Sequence, residues 1–199
     1  MRHVWGFVVS GLLLASQPAW ADDRIDVGLL LGGTRATDEG TALQFGRALT
    51  YQATLACHVW SRKGMSLAIE IPFLASPAFE VTTPGGSLPK EYASLYLTPG
   101  VRITLPVHSA VSVFGAIGAG YARYSESKLR ANGNPNPSQQ DTNTGAFQFG
   151  GGVDIRGFGW LGFRGEIRDV VTGSRNFSIP TPGPTVHNVV TSGGLVVRF

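Results

Sequence analysis

A chain of 199 residues is long enough for one domain of ordinary size, and no shift in composition divides it into two. Only 15% of its residues are charged and 27 are glycine; a hydrophobic share of 43% and a mean hydropathy of +0.08 are too low for a bundle of membrane helices and too high for a disordered chain. The formal charge of +3 comes from scattered basic residues rather than a basic stripe, which excludes a nucleic-acid interface.

The one long apolar run is Val4 to Ala15, preceded by Arg2 and His3 and followed by Ala19, Trp20, Ala21 and the pair Asp22 and Asp23. It is shorter than the ~20 apolar residues of a spanning helix, and Ala19-x-Ala21 offers the small residues that signal peptidase accepts. Residues 1–21 are therefore expected to be a secretory signal peptide and 22–199 the exported domain. Cys57 is the single cysteine, so no intrachain disulfide is available, and it reads as a small apolar side chain facing core or lipid.

Beyond this leader the sequence alternates with period 2, the mark of strands with one apolar face. Ile25, Val27, Leu29 and Leu31 oppose Asp26 and Gly28. From Gly46 to Arg62, Leu49, Tyr51, Ala53, Leu55, Cys57 and Val59 oppose Thr50, Gln52, Thr54, Ala56 and His58. Leu67, Ile69, Ile71 and Phe73 follow, opposite Ser66, Ala68 and Glu70. Then come Leu95, Leu97, Val101 and Ile103, opposite Ser94, Tyr96, Thr98 and Arg102. Pro99 lies within this fourth segment, where its missing N–H predicts a local bulge. The fifth segment sets Val111, Val113, Ile117 and Ala119 against small residues, with Phe114 out of place among them. The sixth sets Phe147, Phe149, Val153 and Ile155 against Gln148, Gly150, Gly152, Asp154 and Arg156. Leu161, Phe163 and Ile167 oppose Arg164, Glu166 and Arg168, and Val189, Leu195, Val197 and Phe199 oppose Asn188, Ser192, Gly194 and Arg198. Eight strands result.

Their connections alternate in length. Short turns are expected around Arg62-Lys63-Gly64, Pro106-Val107-His108 and Gly157-Phe158-Gly159, and long polar loops over Gly33 to Phe45, Ala75 to Glu91, Ser125 to Gly145 and Gly173 to Val186. The third loop holds Asn132 to Gln140, too polar to fold compactly by burying apolar surface. This rhythm predicts an all-β fold: an eight-stranded, antiparallel, up-and-down transmembrane β-barrel, with short turns and both termini periplasmic and long loops extracellular. The polar face carries mixed charges, Asp26, Glu70, Arg102, Asp154, Arg156, Arg164, Glu166, Arg168 and Arg198, which suit a cross-paired lumen more than the water-facing side of a soluble barrel. Glycine then leaves room inside a narrow barrel for the long charged side chains. Trp60, Trp160, Phe73 and Tyr92 are expected in a girdle at the membrane interface.

The chain closes on Leu195, Val197 and Phe199 at two-residue spacing. With Gly118 to Tyr124 and Leu161 to Asp169, this makes the sequence resemble the small outer-membrane β-barrels of Gram-negative bacteria, the OmpA/OmpX-like group. The resemblance implies that Leu195, Val197 and Phe199 form the signal read by the barrel-assembly machinery, and that the protein is a monomer among outer-membrane lipids, including lipopolysaccharide. OmpA-type proteins carry a peptidoglycan-binding domain after the barrel; here the sequence stops at the last strand, and no such domain is expected.

For function, a structural or surface-interaction role through the loops is expected, with a possible extracellular ligand, the lumen plugged by its charges and no cofactor or metal. Two alternatives stay open: a narrow pore, and a lipid A-modifying hydrolase. The latter needs a nucleophile, a base and an orienting acid. His58 should face the lumen and His108 a turn, leaving His187, with Ser178 and Thr185 in the adjoining loop, as the one candidate at outer-leaflet level.

Overall fold

The computed structural model describes residues 24–37, 44–45, 47–62, 64–82, 91–130, 132–137, 139–173 and 185–199. The expected signal peptide with Ala19 and Ala21, and Ser178, lie outside the described residues.

Every regular element is a strand: β1 (Ile25–Thr37), β2 (Gln44–Phe45), β3 (Arg47–Arg62), β4 (Met65–Thr82), β5 (Glu91–Leu97), β6 (Gly100–His108), β7 (Val111–Glu126), β8 (Asp141–Arg156), β9 (Leu161–Gly173) and β10 (Thr185–Arg198). All pairings are antiparallel, and β1 pairs with both β3 and β10, which closes the sheet. β5 and β6 are two halves of one stave, both pairing with β4 and β7, and β2 is a two-residue annex on the end of β4. The result is an eight-stranded antiparallel β-barrel. Its staves are long, up to the 18 residues of β4, against about 5–6 for an ordinary strand.

The period-2 pattern sets the two faces. Leu29, Leu31, Leu49, Leu55, Ile69, Ile117, Phe149 and Ile167 point outward and are exposed, while Asp26, Leu30, Thr50, Gln52, Arg102 and Arg168 point inward and are buried. An apolar band on the outside and a closed hydrogen-bond ladder are the two conditions that hydrocarbon imposes on a sheet.

The staves rise beyond several expected boundaries. β4 runs to Thr82 rather than ending at Phe73, because Phe79 is fully buried and stacks inside the barrel, so apolar burial keeps that segment in the wall. The turn between β6 and β7 is Ser109-Ala110; Pro106, Val107 and His108 belong to the end of β6. The ladder shifts register between Pro106 and His108, and strand pairing, rather than the proline, sets where the chain reverses. Gly64 and Gly159 supply the positive φ, 84° and 58°, of the other two tight turns.

Pro99 interrupts the ladder without a bulge. Pairing passes from Phe73–Leu97 to Glu70–Gly100 on one side and from Leu97–Tyr121 to Gly100–Gly118 on the other, so no extra residue is inserted. The Thr98 N–H reaches only 3.4 Å from the Pro72 carbonyl, and the Thr98 carbonyl, turned from the ladder, accepts a bond from Gln148 Nε2 at 3.2 Å. Thr98 faces Pro72 across the ladder, so a lumen side chain stands in for the N–H that Pro72 lacks. Register shifts lie elsewhere as well, between His58 and Trp60 and between Ser76 and Phe79.

Where β1 meets β10 the backbones approach closely: a Cβ on Gly194 would collide with the Leu29 carbonyl oxygen and Leu30 Cα. Gly194→Val is expected to prevent barrel closure, because the collision is with backbone that no rotamer change relieves. Unboiled Gly194→Val protein should run at the mobility of the unfolded chain on a gel, and compact migration would contradict this account.

Candidate functional site

The lumen has two tiers, and inward parity alone does not reveal the division. At the turn end, four carboxylates (Asp26, Glu70, Asp154, Glu166) meet four guanidiniums (Arg102, Arg164, Arg168, Arg198). Asp154 and Arg164 are opposite each other in the β8–β9 register and join through a two-pronged contact of 2.7 and 2.8 Å. Arg198 adds a bond to Asp154 at 3.1 Å. Arg102 spans Asp26 and Glu70, Arg168 spans Glu70 at 2.7 Å and Glu166 at 2.5 Å, and His58 Nε2 lies 3.2 Å from Asp26.

Neutral side chains complete this set. Gln52 donates to Glu166 at 2.5 Å and accepts from Ser192 at 2.9 Å, and Gln148 accepts from Arg168 at 3.2 Å. The ring of Phe114, out of place by pattern, lies 4.7 Å from the Arg164 guanidinium carbon and 5.6 Å from that of Arg102, where a π-face favours cations. Gly152 makes room for it: a Cβ there would stand 2.8 Å from both the Phe114 ring and Glu166.

Of the nine charges expected on this face, eight are brought together. Arg156 is not: it is exposed at the turn-end mouth and ion-pairs with no described residue, because it lies at the last position of β8, opposite Gly162, where the stave ends and the lumen opens.

The loop-end tier carries aromatic and apolar side chains beside buried hydroxyls, among them the bonded set Thr34, Thr50 and Ser76. Tyr92 stacks on Phe79 with centroids 4.7 Å apart, and Tyr124 packs edge-on against Tyr92 and Tyr96 at 6.1 and 5.9 Å. Leu74, Val170 and Val190 complete the layer. Tyr92 is therefore no part of a membrane girdle; it is 2% exposed, inside the barrel, because its parity on β5 matches that of Ser94 and Tyr96. Trp160 and Phe73 are exposed on the outside, and Trp60, just past the register shift at His58, is exposed at the turn-end mouth. The Tyr124 hydroxyl bonds Thr172 at 2.7 Å, which satisfies that phenol inside the layer.

Above it, the segment between β7 and β8 folds onto Glu126. Asn136 Nδ2 and the Gln140 N–H both donate to the Glu126 carboxylate at 3.3 Å, and Arg130 and Asn134 form a turn around Gly133. The loop is organised by hydrogen bonds to a buried carboxylate, a route to order that its lack of apolar residues does not disclose.

On the outer wall, polar residues begin where the apolar band ends. Arg35 and Arg47 are register partners, both exposed. Arg123 ion-pairs with Asp141 at 2.7 Å, and that hydrogen bond holds the Asp141 carboxyl below the usual carboxylate range. His187 Nδ1 lies 2.7 Å from Asp169 Oδ2 on the neighbouring strand, outside the barrel. Thr185 is exposed on the same side of β10, and His108 is exposed at the opposite end. Leu195 and Phe199 are exposed on the outer surface, with the Phe199 backbone bonded to Arg24 and Ile25. Cys57 is exposed. Among the described residues no three His, Cys, Asp or Glu side chains are grouped to hold a metal.

Solved structures share this architecture. Neisserial surface protein A superposes with a TM-score of 0.61 at 10% identity, covering 88% of this chain and 97% of that one. The N-terminal β-barrel domain of Pseudomonas aeruginosa OprF gives 0.53 at 7%, covering 89% and 98%. Ail of Yersinia pestis, solved with the heparin analogue sucrose octasulfate, gives 0.51 at 11%, covering 87% and 99%. The fold is that of a small outer-membrane β-barrel. No protein-family model and no curated protein matches the sequence.

The ion network of this outer-membrane barrel fold ties six of the eight staves together, with members on β1, β4, β6, β8, β9 and β10. Asp154→Asn leaves buried Arg164 with only Asp26, 3.7 Å away, as a close carboxylate, at a cost of about 3–5 kcal/mol, and the double variant Asp154→Asn/Arg164→Gln should recover part of the loss. Urea unfolding in lipid vesicles, followed by tryptophan fluorescence, measures both; a single variant as stable as the parent would contradict the network's role.

Proposed function

We propose that this protein is a monomeric barrel of the Gram-negative outer membrane with a structural or surface-interaction role, its turns and termini periplasmic and its loops outside the cell. The occupied lumen supports this reading: a salt-bridge network at one end and stacked aromatic rings at the other fill the bore with side chains, and recognition then falls to the loop end. The outward Arg35, Arg47 and Arg123 at that end support the orientation, since the phosphate-bearing headgroups of lipopolysaccharide in the outer leaflet would face them. Leu195, Val197 and Phe199 serve as the assembly signal in this reading, and residues 1–21 as the export signal. An extracellular ligand for the loops fits the same arrangement.

Two measurements test it. Planar bilayers containing the protein should show no discrete long-lived conductance, and a peptide tag inserted at Asn134 should bind antibody on intact cells. Stable channels would support a narrow pore instead, and labelling only after permeabilisation would reverse the topology.

A second reading, a lipid A-modifying enzyme, is favoured by one observation. The His187–Asp169 pair, at 2.7 Å on the outer wall, supplies a base and its orienting acid where lipid would lie. Under this reading, mass spectrometry of lipid A should change on expression and revert with His187→Ala; an unchanged profile ends it.

A further inference from the structure

We propose that the turn-end mouth of the barrel is a binding site for a small, multiply charged oxyanion of the phosphate type. The mouth opens into a cavity of about 700 Å³ lined by Arg24, Arg156, Arg198, His58 and Trp60, within the range of about 300–1,000 Å³ typical of small-molecule sites.

Charge balance carries the inference. The carboxylates that face the cavity are Asp26 and Asp154, and both are engaged from below: Asp154 by Arg164 on two oxygens and Asp26 by Arg102. The lumen network as a whole closes at four carboxylates and four guanidiniums with Arg198 already included. Arg156 and Arg24 stand outside that balance. Both are exposed and line the cavity, and neither ion-pairs with a described residue; Asp22 and Asp23, which precede Arg24, lie outside the described residues. His58 and His108 add polar nitrogens to the same walls. A concave site with low-dielectric walls and surplus positive charge concentrates anions, and guanidinium forks match the tetrahedral oxygens of a phosphate.

The occupant is a soluble anion rather than a lipid headgroup. The cavity lies in the open mouth of the barrel, with Asp26 on β1, Asp154 on β8 and Arg198 on β10 lining it from the lumen side, whereas headgroups lie against the outer wall. The site also makes physical sense of Arg156, which the salt-bridge network leaves unused.

Isothermal titration of the refolded barrel of residues 22–199 in a neutral detergent, with pyrophosphate as the probe, tests this. Saturable binding is expected, accompanied by a change in Trp60 emission in a Trp160→Phe background. Arg156→Gln, an exposed change that leaves the lumen network whole, should weaken binding about tenfold, as expected for loss of one charge-assisted contact. Arg123→Gln at the other end should leave it unchanged. No saturable binding, equal loss in Arg123→Gln, or unchanged affinity in Arg156→Gln would overturn the proposal, as would displacement of pyrophosphate by phosphatidylglycerol added to the micelles. None of these outcomes depends on the role of the loops, so the site stands or falls apart from the surface-interaction reading.

Discussion

Closure of the β1–β10 ladder is the constraint from which the rest of this molecule follows. In hydrocarbon an unpaired backbone group costs several kcal/mol, so a sheet without edges is required. Eight staves close around a bore too small for anything but side chains. Each inward residue therefore meets residues from the opposite wall, and polar ones must find partners there. Asp154 and Arg164 meet across adjacent staves, but Gln52 and Glu166 or Arg168 and Glu70 meet across the bore. Long-range pairing of this kind is a product of the diameter.

Much of this architecture is legible in the sequence because lipid and lumen impose opposite solvents on alternate residues. The outward run of Leu49, Tyr51, Leu55 and Cys57 fixes the facing of β3 without any structural knowledge. Parity fails where height matters. Tyr92 and Tyr96 share the inward face with Arg102, yet only their distance from the turns places them in the aromatic layer instead of the ion network. Arg156 shares parity with Asp154, yet two residues further along the stave the lumen has opened to water. Height along the axis depends on the shear between staves, which is a property of the closed sheet rather than of any one segment.

Partners contributed by residues of modest hydropathy were equally hidden. Gln52, Gln148 and Ser192 look like ordinary inward polar residues, and their roles arise only because strands distant in sequence present a carboxylate, a guanidinium or a freed carbonyl to them. The order of the loop after β7 has the same origin: Glu126 is a strand residue, and the chain above it is organised by a carboxylate that the barrel itself places.

The gap in the ladder at Pro72, Thr98 and Pro99 acquires meaning from its position. It lies at the border between the two tiers, with Glu70 and Arg102 on one side and Leu74 and Tyr96 on the other, and the one side chain that bridges it, Gln148, is also bonded to Arg168. The wall is thus weakest where its contents change character. Such a joint divides the barrel into two mechanical compartments: a salt-bridged base, and a crown of stacked rings and neutral hydrogen bonds that carries the loops.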